Sequence, residues 1–118
     1  MPDARAHKKQ YEHNKKLLQS QDFQDEENCD WAVTIVFYSA MHLLEEFFAN
    51  KGIHNKSHQT RNQFVASEAF LKNNQIAAKY NLLYNQSIRS RYGCTKITSE
   101  DLQLVKDTLL FIENKLTT

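Results

Sequence analysis

Between Asn28 and Lys51 the chain carries Trp31, Ala32, Val33, Ile35, Val36, Phe37, Tyr38, Met41, Leu43, Leu44, Phe47 and Phe48, and this stretch limits the fold more than any other. Wound as an α-helix it is apolar almost all round, which a helix tolerates only when neighbours cover it on several sides. The pattern predicts a central helix near 28–51, with Gly52 placed to let the chain leave through a left-handed cap. A bilayer is the competing environment. The uncharged run Trp31 to Leu44, closed by Glu45 and Glu46, falls short of the roughly 18 to 20 residues that a span requires, so a buried core helix is expected.

Whatever covers that helix should be helical too. Two glycines and one proline in 118 residues are too few for the tight turns of a β-rich fold. A first helix is expected from Asp3, a good N-cap, to about Ser20, with Ala4, Ala6, Tyr11, Leu17 and Leu18 as a thin apolar stripe. QDFQDEEN then connects it to the central helix. A third helix capped by Ser57 holds Phe64, Val65, Ala69, Phe70 and Leu71, and a fourth from Gln75 to Tyr92 stops at Gly93. In the last helix, begun at Thr98 or Ser99 with Asp101 completing a capping box, Leu102, Val105, Leu109, Ile112 and Leu116 recur at three or four. The expected fold class is all-α: one domain, 1–118, an up-and-down four-helix bundle with one additional shorter helix.

Charge is segregated along the chain, with seven acids and no Lys or Arg over Gln21 to Asn50, then seven bases and one acid over Lys51 to Tyr92. A basic face suits phosphates, although acidic and basic helices can equally pair with each other. Cys29 and Cys94 are expected to be free thiols, since small disulfide scaffolds carry more cysteines and less helix. MPDARAHKKQ has no apolar core of a secretory signal, which makes the cytoplasm the expected compartment and a membrane association unexpected.

Several side chains are candidates for chemistry. His54 and His58 stand four apart, yet no Glu follows His54 and no third ligand is placed, so no metal site or cofactor is expected. His42 and Glu45 are three apart on the central helix, but the Glu-x-x-His pairs of di-metal bundles are missing. In SHQTRN, Ser57 to Asn62, His58 and Arg61 share one face of a helix start: an acid or base beside a phosphate-gripping fork. Arg89 and Arg91 lie among Tyr80, Tyr84 and Tyr92, and arginine interleaved with aromatics binds single strands by charge and stacking. No Ser-His-Asp order, glycine-rich phosphate loop or Cys-x-x-Cys pair occurs.

At DWAVTIVFYSAMH (Asp30 to His42), SHQTRN (Ser57 to Asn62) and LLYNQSIRSRYGC (Leu82 to Cys94) the chain resembles the HEPN superfamily, in particular small bacterial members with a D-W…F-Y…H helix, an S-H-x-x-R-N turn and a late R-Y. The resemblance covers roughly residues 28 to 94. It implies a four-helix up-and-down bundle, frequent homodimers, and roles as RNA-cleaving toxins, as RNA or nucleotide binders, or as non-catalytic partners of nucleotidyltransferases. Ribonuclease members carry an Arg followed after four to six residues by a His. Here Arg61, Arg89 and Arg91 precede no histidine, while one residue separates Arg5 from His7 and seven separate it from His13.

The expectation is therefore a HEPN-like binding module in which His42, His58, Arg61, Arg89, Arg91 and Tyr92 contact RNA, a nucleotide or a partner protein. The alternatives are a divergent metal-independent ribonuclease drawing on His42, His58 and Arg61, and a purely structural dimer.

Overall fold

A computed structural model describes residues 3–20, 29–92 and 96–117. Six helices form in chain order: α1 (Ala4–Leu18), α2 (Cys29–Ala49), α3 (His58–Ser67), α4 (Ala69–Asn73), α5 (Ile76–Tyr92) and α6 (Ser99–Thr117). No strand occurs among the described residues. The expected connection QDFQDEEN, the stop at Gly93, and Cys94 lie outside them.

Local chemistry explains most helix ends. The Asp3 carboxylate accepts the Ala6 N–H at 2.9 Å, and the Ser57 hydroxyl accepts that of Thr60 at 3.1 Å, each taking up a donor that a helix start leaves free. Thr98 and Asp101 cap α6 reciprocally: the Thr98 N–H donates to Asp101 Oδ2 and the Asp101 N–H to Thr98 Oγ1. Past α2, Gly52 adopts φ 78, the Ile53 N–H reaches back to Phe48 O at 2.9 Å and the Gly52 N–H to Ala49 O at 3.0 Å. These two bonds make a Schellman ending, and Ile53 packs against the core beneath it.

α2 packs against α1, α5 and α6, and α5 packs against α6, while α3 and α4 lie over the α5 side. Val33, Val36, Phe37, Ala40, Leu44 and Phe48 of α2 are fully enclosed, meeting Leu18, Val65, Leu71, Ile76, Tyr80, Leu83, Val105, Leu109 and Ile112. Each large side chain so buried contributes about 1.5 to 3 kcal/mol before conformational entropy is subtracted. Twenty-one residues make α2 the one helix among those described that is long and apolar enough to cross a membrane. Its enclosed apolar side chains, and the buried Thr34, Ser39 and Glu45 among them, match the core helix of a helical bundle.

Three expectations need correction. Trp31, placed in the core by its position in the apolar run, is 61% exposed, because it faces away from the covered side of the same turn, where Cys29, Ala32 and Val33 are buried. The single third helix is two: Glu68, with φ −70 and ψ 126, closes α3 through its N–H to Phe64 O and opens α4 by accepting the Phe70 and Leu71 N–H groups. Phe64 and Phe70 are left partly exposed. In α1 the buried positions are His7, Asn14 and Leu18, so of the expected apolar stripe Leu18 alone is buried, and Leu17 faces outward.

Candidate functional site

Thr34, Tyr38 and His42 follow each other at intervals of four along α2, and Glu45 continues the row three residues on, so all four fall on one face. Each meets a polar partner from a different part of the chain. Thr34 Oγ1 lies 2.9 Å from Ser90 Oγ, and Tyr38 accepts from Arg91 Nη1 at 3.0 Å. His42 Nδ1 is 2.9 Å from His7 Nδ1 of α1. Glu45 Oε1 accepts from Arg61 Nε at 2.5 Å and from Asn55 Nδ2 at 3.1 Å.

Arg61 and Glu45 form a buried ion pair, 8% and 3% exposed. Arg61 Nη1 also lies 2.9 Å from His58 Nδ1. A guanidinium has no acceptor, so this contact makes His58 Nδ1 the acceptor and leaves the ring proton on Nε2. Burial, with Arg61 and Arg91 adding to it, holds the His58 pKa below the ordinary imidazole value. His58 in this arrangement is a neutral donor with no free nitrogen to act as a base. Its ring packs near Phe37 and Tyr84, at centroid distances of 6.0 and 5.9 Å.

Beside this pair, the Tyr80 hydroxyl and Asn55 Oδ1 are buried without a well-formed hydrogen bond among the described residues. Burial raises the Tyr80 phenol well above its ordinary pKa, so it remains a neutral group near the Arg61 charge. Burial is also the chief cause that pushes His42 down to about 4, followed by the proximity of His7 and Arg61; His7 is lowered mainly by burial. At neutral pH both rings are uncharged, and one Nδ1–H donates to the Nδ1 of the other.

Arg91 is held by three bonds, Nη1 to Tyr38, Nε to Ser87 O at 3.2 Å and Nη2 to Ser87 Oγ at 3.3 Å. Its guanidinium carbon lies 5.2 Å from the ring centre of Tyr92 and 5.6 Å from that of Tyr38. Two of its five N–H donors stay available. Arg91 lines an open cleft of about 330 Å³ with Asp30, Trp31, Thr34, Ser90 and Tyr92. Among the described residues, Trp31 and Tyr92 are the two most exposed of the large apolar and aromatic side chains, Tyr92 at 69%.

The fold thus joins His58 to Arg61 directly, and brings Arg91 close enough to influence His58 and His42 close to Arg61. Arg89 goes elsewhere. Two residues before Arg91 on the same helix, it points to the start of α6, pairing with Asp101 Oδ1 at 3.3 Å and donating to Lys96 O. Sequence reasoning missed His7, Tyr38, Asn55, Asp30 and Trp31 as polar-site residues. The four-residue step from Tyr38 to His42 was the available signal, but it was submerged in an apolar run. Among the described residues no group of three or more His, Cys, Asp or Glu is arranged to hold a metal ion.

No protein-family model matches the chain, and no curated protein or solved structure does either.

Proposed function

We propose that the chain is a HEPN-like module, an up-and-down four-helix bundle of α1, α2, α5 and α6 with α3 and α4 as a short addition, which contacts single-stranded RNA or a nucleotide without cleaving it. The observation that carries the reading is the Arg91 cleft: a guanidinium with free donors beside two exposed aromatic rings. Phosphate attracts the first, and unstacked bases lie on the second. The HEPN kinship is supported by the meeting of all three resembling segments, through Tyr38 with Arg91, Phe37 with His58, and His58 with Tyr84. Homodimer formation and association with a nucleotidyltransferase belong to the same proposal.

Binding is favoured over cleavage by the state of the two best candidates for catalysis. Arg61 is committed to Glu45, and His58 has its Nδ1 blocked and its Nε2 protonated, so neither offers the base or the phosphate clamp that 2′-hydroxyl attack needs. Trp31 is the sole tryptophan of the chain, which makes the cleft self-reporting. Titration with a short single-stranded RNA at low salt should quench its fluorescence. Arg91→Ala and Tyr92→Ala should each weaken binding about tenfold, the first also flattening the salt dependence. The RNA should stay intact in the presence of chelator. An RNA that neither quenches Trp31 nor is retarded on a native gel at low salt would sink the proposal.

A further inference from the structure

The cleft holds one group that phosphate contact and stacking leave unused. Asp30 lines it, and its carboxylate enters no hydrogen bond or ion pair among the described residues, although Arg91 shares the same walls. The neighbouring hydroxyls are already committed. Thr34 donates to Asp30 O or shares its proton with Ser90, and Ser90 donates to Ser87 O. Asp30 is therefore the one carboxylate among the cleft's lining side chains, and its strongest uncommitted acceptor.

An ionised carboxylate offers two parallel acceptors and no donor. Among the four RNA bases, guanine alone presents two adjacent donors on its Watson–Crick edge, the ring N–H and the exocyclic amine, at a spacing that two carboxylate oxygens match. Adenine and cytosine set a single amine beside a ring acceptor. Uracil flanks its one N–H with carbonyls. In each of those three an acceptor would face a carboxylate oxygen, and that repulsion discriminates as effectively as the attraction does. A quaternary ammonium also suits aromatic rings beside an acid, but the fixed positive charge of Arg91 in the same cleft opposes a cation and favours an anionic nucleotide.

We infer that the cleft between the start of α2 and the end of α5 selects an unpaired guanine nucleotide, with the base against Trp31 and Tyr92, its Watson–Crick edge on Asp30 and its phosphate on Arg91. The inference rests on the nucleic-acid reading above and adds the base to it. Trp31 fluorescence and calorimetry would be followed while guanosine, adenosine, cytidine and uridine monophosphates are titrated in turn, and then oligouridine with or without one guanine. Guanosine monophosphate should bind at least about tenfold more tightly than the other three. The D30N variant should bring that ratio to about one while leaving the weaker nucleotides as they were, and its thermal melt should match wild type. Four equal affinities, unchanged in D30N, would overturn guanine selection and leave RNA contact at the cleft standing. Failure of every nucleotide and of both oligonucleotides would overturn the two together.

Discussion

Acidification should loosen the protein through the His7–His42 pair, well before its carboxylates are neutralised. In the unfolded chain both imidazoles take up a proton near the ordinary value of 6.5, whereas in the fold His42 resists protonation down to about 4 and His7 is also depressed. Around the two rings, Arg61 and His54 oppose a second proton on His7, while Glu45 and Asp3 favour one; His42 meets Arg61 and His7 against Glu45. As pH falls through 6.5 the unfolded state therefore binds more protons than the folded one, and stability declines until about pH 4. Above neutrality both rings are uncharged in the folded and the unfolded chain and nothing is lost. A shift of this size in His42 is worth at most about 3 kcal/mol, and screening by the solvent at the partly exposed ring edge brings it to about 1 to 2 kcal/mol. For a chain of this size that is roughly 4 to 8 °C in melting temperature. Melting curves of wild type and His42→Gln, recorded at half-unit steps from pH 7 to 4.5, isolate the effect of the pair because the groups outside it titrate alike in both. Wild type should lose those degrees, and the variant should lose only what the remaining groups cost. Parallel curves would refute the account in which an uncharged His7–His42 pair holds α1 against α2.

Other perturbations test the remaining structure. Glu45→Ala strands the Arg61 guanidinium in a buried site and should cost about 3 to 5 kcal/mol in chemical denaturation, with much of the loss recovered when Arg61→Met is added. Gly52→Ala has open space for its methyl group but must adopt φ 78, so about 1 kcal/mol should be lost through the backbone alone. Asp101→Ala removes the reciprocal cap of α6 and the Arg89 pair, for about 0.5 to 2 kcal/mol by the same assay. Trp31→Ala should leave stability within about 0.5 kcal/mol of wild type, since the indole lies outside the core; a loss of 2 kcal/mol or more would place it inside.

Features governed by neighbours along the chain are legible in the order of residues itself. Asp3, Ser57, Gly52 and the Thr98–Asp101 box act on backbone groups within five residues, and the stripe from Leu102 to Ile112 needs only a 3.6-residue period to be seen. The seam of α1 is not legible, because hydrophobic periodicity scores apolar side chains, whereas α1 buries His7 and Asn14 with a single leucine. A polar residue is buried when a partner from elsewhere satisfies it, and here the partner of His7 lies thirty-five positions away on α2. The break at Glu68 is hidden for a related reason: glutamate favours helix interiors, and only its carboxylate turning back onto Phe70 and Leu71 converts it to a cap.

The same blindness covers the candidate site. Tyr38, His42 and Glu45 stand inside or at the edge of the most apolar run in the chain, and their neighbours there suggest burial without suggesting partners. Yet a fully apolar α2 would pack its surroundings without fixing their rotation or register, since hydrophobic contact is non-directional. The polar row supplies direction: Arg91 can meet Tyr38, and Arg61 can meet Glu45, in only one angular setting of α5 and α3 around α2. Because Arg91 is anchored on Tyr38 of that row and opens onto Trp31 and Tyr92, the contacts that fix helix orientation also aim the cleft. Stability and ligand affinity should then separate along the row. Substitutions at Glu45 and Arg61 should lower melting temperature first and binding only as a consequence, while those at Trp31, Tyr92 and Asp30 should reduce binding in a protein that melts as before.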